Sequence, residues 1–205
     1  MSDGLKLEAL GCRSLNHLDL TLSSGQAAGI TGPSGTGKSL LLRAMADLDP
    51  HEGRLWLDDV AADQIPAPQW RFKVALLPAE AAWWYDTVGE HFEHWPPYGL
   101  EQLGFDNGVM TWQVSHLSSG ERQRLALLRV LVNQPRVLLL DEPTANLDDT
   151  NTERAETLID EFRRQHRPVI VWVSHDLEQL RRWCDPIYTL GNGRLAIFDA
   201  GRIPA

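Results

Sequence analysis

The chain has 205 residues, a formal charge of −9, 43% hydrophobic residues and 23% charged ones, the profile of an ordinary globular protein long enough to bury a sizeable core. Its acidic balance argues against a general nucleic-acid binder, which needs a basic face for phosphates. Cys12 and Cys184, far apart in sequence, make neither a disulfide framework nor a metal cluster and suit a reducing compartment.

The opening "MSDGLKLEAL" lacks the basic-then-apolar pattern of a signal peptide. Residues 5–10 ("LKLEAL") and 17–22 ("HLDLTL") alternate like half-buried strands. "QAAGIT" (26–31) reads as a buried strand that runs into a glycine-rich turn. A helix follows, with Leu41, Ala44, Met45 and Leu48 on one apolar face. "GRLWLDD" and "KVALLP" are further strands, the second ending at Pro78. From Ala81 to His116 the pattern loosens into short helical segments broken by glycines and Pro96-Pro97. A helix over about 119–133 carries Leu125, Leu128 and Leu131 or Val132 on its inner stripe. "RVLLLD" (136–141) is a continuous apolar run, as in a parallel strand covered on both faces. A helix near 150–166 (Ala155, Leu158, Ile159, Phe162), the strand "PVIVWVS" (168–174), a short helix from Asp176 and two strands around Gly191–Gly193 complete the chain. Strands alternating with helices predict an α/β fold with a mostly parallel sheet. No apolar run approaches the roughly 20 residues that span a bilayer, so any membrane role comes through a partner.

"GPSGTGKS", Gly32 to Ser39, fits the phosphate-loop pattern G-x-x-x-x-G-K-[ST] and lies between a predicted strand and a predicted helix. Gly32, Pro33, Ser34, Gly35, Thr36 and Gly37 would turn backbone N–H groups around phosphate oxygens, and the helix start at Lys38, Ser39 and Leu40 adds a favourable dipole. Lys38 would reach the β- and γ-phosphates, and the Ser39 hydroxyl would ligate Mg²⁺. Asp141 ends the "VLLLD" strand, where it would hold the same ion. Glu142, next in sequence, would orient or deprotonate an attacking water. Ser118 or Ser119 would N-cap the helix that follows. In "EHFEH", His91 and His94 suggest a solvated helix face rather than a metal site, since two ligands alone make a poor one.

The string "LSSGERQR" about twenty residues before "LLLDE", together with the phosphate loop, resembles the ATP-binding cassette (ABC) ATPases, the nucleotide-binding subunits of ABC transporters. Leu117, Ser118, Ser119, Gly120 and Glu121 match the family signature, with Ser119 where glycine is commonest. "ANLD" (145–148), ending in Asp148, looks like the D-loop, and His175 in "WVSHD" matches the switch histidine at the γ-phosphate. The resemblance runs over nearly the whole chain in motif order and looks most like small stand-alone subunits, including an iron-export type. It implies a P-loop NTPase core, with an N-terminal antiparallel β layer and a short helical subdomain. The chain would be one domain, its catalytic core at 1–79 and 117–205 and its signature-bearing helical part at about 80–133. The implied function is Mg²⁺-dependent ATP hydrolysis powering a separate membrane permease. A head-to-tail homodimer would face Ser118 and Gly120 of each subunit to the other's phosphate loop. The protein would lie on the cytoplasmic face of the membrane, bound through the permease, with no nucleic acid as partner. The alternatives are a DNA-maintenance ATPase, which usually carries a much longer insertion than the roughly one hundred residues between Lys38 and Asp141, and a regulatory cassette that binds ATP without turnover.

Three features depart from the family. Ala79 stands where glutamine usually follows the proline, so either Glu80 serves by a shifted register or water completes the metal shell. No Phe, Tyr or Trp occurs in "GCRSLNH", leaving Arg13 or His17 to stack on the base. The segment 81–116 is short, holds five acids and no Lys or Arg, and concentrates aromatic residues. Trp83, Trp84 and Tyr85 would then either line a permease groove from Ala79 onward or fill the lobe's own core.

Overall fold

The structure, a computed structural model, describes residues 3–93 and 99–198. The alternating N-terminal segments form β1 (Gly4–Cys12) and β2 (Leu15–Ser23), an antiparallel pair. With β4 (Glu52–Leu57) and the two-residue β5 (Val60–Ala61) they make a four-stranded layer in the order β2-β1-β4-β5. The second sheet runs β10-β9-β3-β8-β7-β6. Its members are β3 (Ala27–Thr31), β6 (Val74–Leu77), β7 (Val137–Asp141), β8 (Val169–Val173), β9 (Ile187–Gly191) and β10 (Arg194–Ile197). All neighbours in it are parallel except the β9–β10 hairpin.

The apolar runs at β7 and β8 are buried at every position because the sheet is covered on both faces. Alternation along the strands divides them. Val137, Leu139, Val169, Val171 and Val173 face the antiparallel layer and α1 (Lys38–Met45). Leu138, Leu140, Ile170 and Trp172 face a second core with α3 (Ser119–Leu131), α4 (Asp149–His166) and α5 (Leu177–Trp183). Leu125, Leu128 and Leu131 are the inner stripe of α3, while Ala155, Leu158, Ile159 and Phe162 form that of α4. The loop region between β6 and α3 joins this second core through Val88, Leu100, Leu103, Phe105, Val109 and Met110. It contains 3₁₀ turns at Gly89–His91, Asn107–Thr111 and Val114–His116.

One expectation changes, and one helix had none. Leu48 is not on the buried face of the first helix but beyond it, and is 42% exposed. Asp47 takes a left-handed φ of 53° and the Leu48 N–H closes back on Arg43 O at 2.9 Å, which terminates the helix one turn early. The short helix α2 (Ala67–Lys73) has no helical stripe in sequence, since its one buried residue is Trp70. The Trp70 indole donates to Met45 O at 3.0 Å and anchors α2 to the end of α1.

Candidate functional site

Parallel strand order brings the predicted residues together. β3, β8 and β7 are adjacent and run the same way, so the loops leaving their carboxyl ends lie side by side, where open α/β sheets bind ligands. From β3 comes the loop Gly32–Ser39, from β8 His175, and from β7 Asp141 and Glu142. Gly32 has φ 145°, and a Cβ there would stand 2.3 Å from Leu190 O. Gly37, φ 101°, is the N-cap of α1. Both positions exclude an L side chain, Gly32 by contact and Gly37 by conformation. The N-cap supplies no side-chain acceptor, so the amides of the first helical turn are available to an anion.

Lys38 is buried and folds over its own loop, its Nζ donating to Gly32 O at 2.8 Å and Pro33 O at 3.0 Å. Thr36 Oγ1 donates to Pro33 O at 2.9 Å. Ser34, Gly35 and Ser39 are exposed on the loop, and half-buried Leu40 packs against the first core. Burial lowers the pKa of Lys38, opposed by the charges of Glu142 and Asp141 across the strand ends.

Asp141 is 6% exposed, and no described residue donates a hydrogen bond to its carboxylate. Glu142 has a left-handed φ of 49°, an uncommon conformation for a non-glycine residue and one found at functional sites. Its N–H donates to Val173 O at 3.0 Å. Its Oε1 is buried and without a hydrogen bond, although His175 Nε2 stands 3.4 Å away. Burial raises the Glu142 pKa above the ordinary 4.5, outweighing the pull of His175 and Lys38. The carboxylate is thus a desolvated, under-satisfied acceptor beside a histidine, the state in which a carboxylate is a stronger base.

The fit to Mg²⁺ rests on the Asp141 carboxylate. A buried acid without a donor, together with an exposed hydroxyl at Ser39, is a small all-oxygen donor set. Among the described residues no group of three His, Cys, Asp or Glu could hold a metal. Mg²⁺ needs none, because it binds through one or two protein oxygens plus phosphates and water.

The signature residues begin α3. Ser118, not Ser119, is the N-cap, in a capping box with Glu121: Glu121 N–H donates to Ser118 Oγ at 3.3 Å, and Ser118 N–H to Glu121 Oε2 at 2.8 Å. Ser119 is exposed and Gly120 half-buried. No hydrogen bond or ion pair among the described residues joins this turn to the phosphate loop of the same chain. Asp148 caps α4, accepting from Asn151 N–H at 2.8 Å. Buried Arg124 then ties signature helix to D-loop, its Nη1 donating to Asn151 Oδ1 and Leu103 O, each at 2.6 Å. The sequence reading missed this link. The i+3 spacing of Asp148 and Asn151 was its one visible sign.

At the β6 edge, Ala79 is half-buried and Glu80 exposed, with no hydrogen bond or ion pair to Glu80 among the described residues. Beyond them the aromatics divide. Trp83 packs against the second core, whereas Trp84 and Tyr85 are 62% and 51% exposed. The Arg129 guanidinium lies 4.6 Å from the Trp83 ring and 4.7 Å from that of Trp84, and donates to Ala82 O at 3.0 Å. His91 is not on a solvated face. It is 8% exposed, and its Nε2 accepts from the Trp84 and Tyr85 N–H groups at 2.9 and 3.0 Å. His94, Trp95 and Tyr98 lie outside the described residues.

Beside the phosphate loop, Leu15 and Ser14 at the β1–β2 turn flank Gly37. Next to them, Gly11 to Arg13, Leu15 to His17 and Pro50 to Glu52 line a cavity of about 440 Å³. Arg13 is exposed there, while His17 Nδ1 lies 3.3 Å from Ala9 O.

The ABC transporter family profile matches residues 15–145. The chain belongs to this family. It is an ATP-binding, ATP-hydrolysing subunit of an ABC transporter. It is 34% identical over 186 residues to the aliphatic sulfonates import ATP-binding protein SsuB 1 of Pseudomonas fluorescens, covering 89% of this chain and 69% of that one. It is 31% identical over 189 residues to the "Probable iron export ATP-binding protein FetA" of Escherichia coli, covering 86% and 84%. Identity to the rice protein STAR1 is 35% over 201 residues, 92% of this chain but only 58% of that protein's length. Among solved structures, a dimeric ATP-binding cassette bound to ADP and Pi superposes with a TM-score of 0.79 at 22% identity, covering 93% of this chain and 96% of that one. That likeness gives the P-loop NTPase fold. The identities to import and export relatives are nearly equal and do not separate the two directions.

Proposed function

We propose that Lys38, Asp141, Glu142 and His175 form one half of an ATP hydrolysis site, completed by Ser118 and Gly120 of a second copy in a head-to-tail dimer. The observation that carries this reading is the convergence of the three loops at the carboxyl ends of β3, β8 and β7. Lys38 and the amides of Gly35 to Leu40 bind the phosphates. Glu142 Oε1 orients the attacking water and takes its proton, and His175 holds the γ-phosphate side of the site. Ser39 and Asp141 would hold Mg²⁺, which when bound neutralises charge on the β- and γ-phosphate oxygens. Arg13 offers a guanidinium to the base in place of an aromatic ring, and because Ala79 cannot ligate, water would have to complete the shell of a bound Mg²⁺. The signature turn and Asp148 belong to the nucleotide interface of the dimer.

The partner is a transmembrane permease that holds the protein on the cytoplasmic face of its membrane. No helix among the described residues is long and apolar enough to cross one. The docking surface runs from Ala79 to Trp84 and over the 81–116 lobe, where Trp84 and Tyr85 stand out among Glu80, Asp86, Glu90 and Glu93. A basic, partly apolar element fits that surface. Co-purification with the permease tests it: Trp84→Ala and Tyr85→Ala should release the permease, and full retention by the double variant would overturn this docking surface.

A further inference from the structure

A closed polar cluster lies behind the hydrolysis site, in the angle between α4 and α5. Its centre is Gln179, 3% exposed, on the first turn of α5, whose neighbour Leu180 is fully buried. A carboxamide there is costly unless its donors and acceptor are matched. All are. Nε2 donates to Glu156 Oε1 at 2.7 Å and to Thr144 Oγ1 at 2.8 Å. Oε1 accepts from Ser174 Oγ at 3.0 Å. The Glu156 carboxylate only accepts, which fixes which end of the amide faces it.

Each partner sits beside a group of the site. Ser174 directly precedes His175, and its Oγ also accepts from the Asp176 N–H at 3.1 Å. Thr144 follows Glu142 by two residues. Glu156 lies on α4, the helix capped by Asp148, and is held from outside by Arg182 Nη2 at 3.3 Å. One buried amide therefore joins the loop after β7, the loop after β8 and the helix after the D-loop. The Glu142 backbone is tied by its N–H to Val173 O and by the Ala145 N–H to its own carbonyl, but it is left-handed, and the side-chain Oε1 that faces His175 carries no hydrogen bond.

We propose that Gln179 is a positioning residue for ATP hydrolysis, its carboxamide fixing the loop of Glu142 against the loop of His175. The inference rests on the roles given above to those two residues. It touches neither Lys38 nor the phosphate loop, so it sets the geometry of attack and not the grip on nucleotide. A small displacement of a base costs rate steeply.

Steady-state hydrolysis of Mg-ATP by the full chain tests this, with thermal unfolding alongside. Gln179→Leu keeps the volume and removes all three hydrogen bonds. Its kcat should fall about tenfold while the KM for ATP stays within about twofold. Gln179→Glu sets a second carboxylate against Glu156 and should be equally slow. Combining it with Glu156→Gln restores a donor–acceptor pair with its direction reversed, and should return kcat to near wild type. Rescue by the swap identifies the hydrogen bond, which a general packing role would not do. The proposal is overturned if folded Gln179→Leu keeps wild-type kcat, or if the swap is no faster than Gln179→Glu alone. Glu142→Gln is measured beside them. If it hydrolyses ATP like wild type, the underlying site reading falls; if it is inactive while Gln179→Leu is unimpaired, only the role of Gln179 falls.

Discussion

Replacing His91 by phenylalanine isolates what holds Trp84 and Tyr85 at the surface. The ring volume and the edge-on contacts with Trp83, Trp84 and Tyr85, at centroid distances of 4.7, 4.9 and 5.1 Å, are kept. Three hydrogen bonds are lost: two from the Trp84 and Tyr85 N–H groups, and the 3.0 Å contact of Nδ1 with Thr87 O. At about 1 kcal/mol each the loss is about 3 kcal/mol, or roughly 6–12 °C in unfolding midpoint for a chain of this size. The pH dependence has a definite sign. Burial lowers the His91 pKa below 6.5, with the Arg129 charge acting the same way and Glu90 opposing. The native state then binds fewer protons than the unfolded chain below pH 6.5. Its contribution to stability is present above that pH and declines as pH falls toward the folded pKa, with a slope of at most about 1.4 kcal/mol per pH unit. Urea unfolding followed by tryptophan fluorescence between pH 5 and 8 measures both effects. A His91→Phe protein within about 0.5 kcal/mol of wild type at pH 7.5, or with the same acid slope, would refute the reasoning.

Ser118→Ala removes the capping box of α3 and should cost about 1 kcal/mol in urea unfolding, along with a loss of ATP-driven dimer in size-exclusion chromatography. Lys38→Ala should raise the ATP Kd at least about tenfold, measured by equilibrium binding. Ala79→Gln should leave hydrolysis near wild type and lower transport per ATP in proteoliposomes, the outcome expected if the proposed docking joint couples by packing. Faster hydrolysis with unchanged transport would contradict that.

The site was legible in sequence because phosphate binding is a local demand. The glycines, lysine and serine of residues 32–39 have to occur at fixed spacing after a strand, and the apolar run to Asp141 declares a buried parallel strand by itself. The sheet order that sets Glu142 beside His175 is a tertiary fact, and only the family likeness anticipated it. What stayed hidden depends on partners distant in sequence. His91 read as a surface residue because its acceptor role is to backbone amides, which leave no side-chain pattern. The place of Arg129 was equally hidden, since the tryptophans against its guanidinium lie more than forty residues away. The end of α1 before Leu48 turned on one left-handed residue, Asp47, of a type that tolerates that conformation without announcing it.

Phosphate release from saturating Mg-ATP, compared between wild type and Glu142→Gln, bears most directly on the central claim. A desolvated base beside His175 predicts a kcat lower by about 10²-fold or more in the variant. Equal rates for the two proteins would contradict the account.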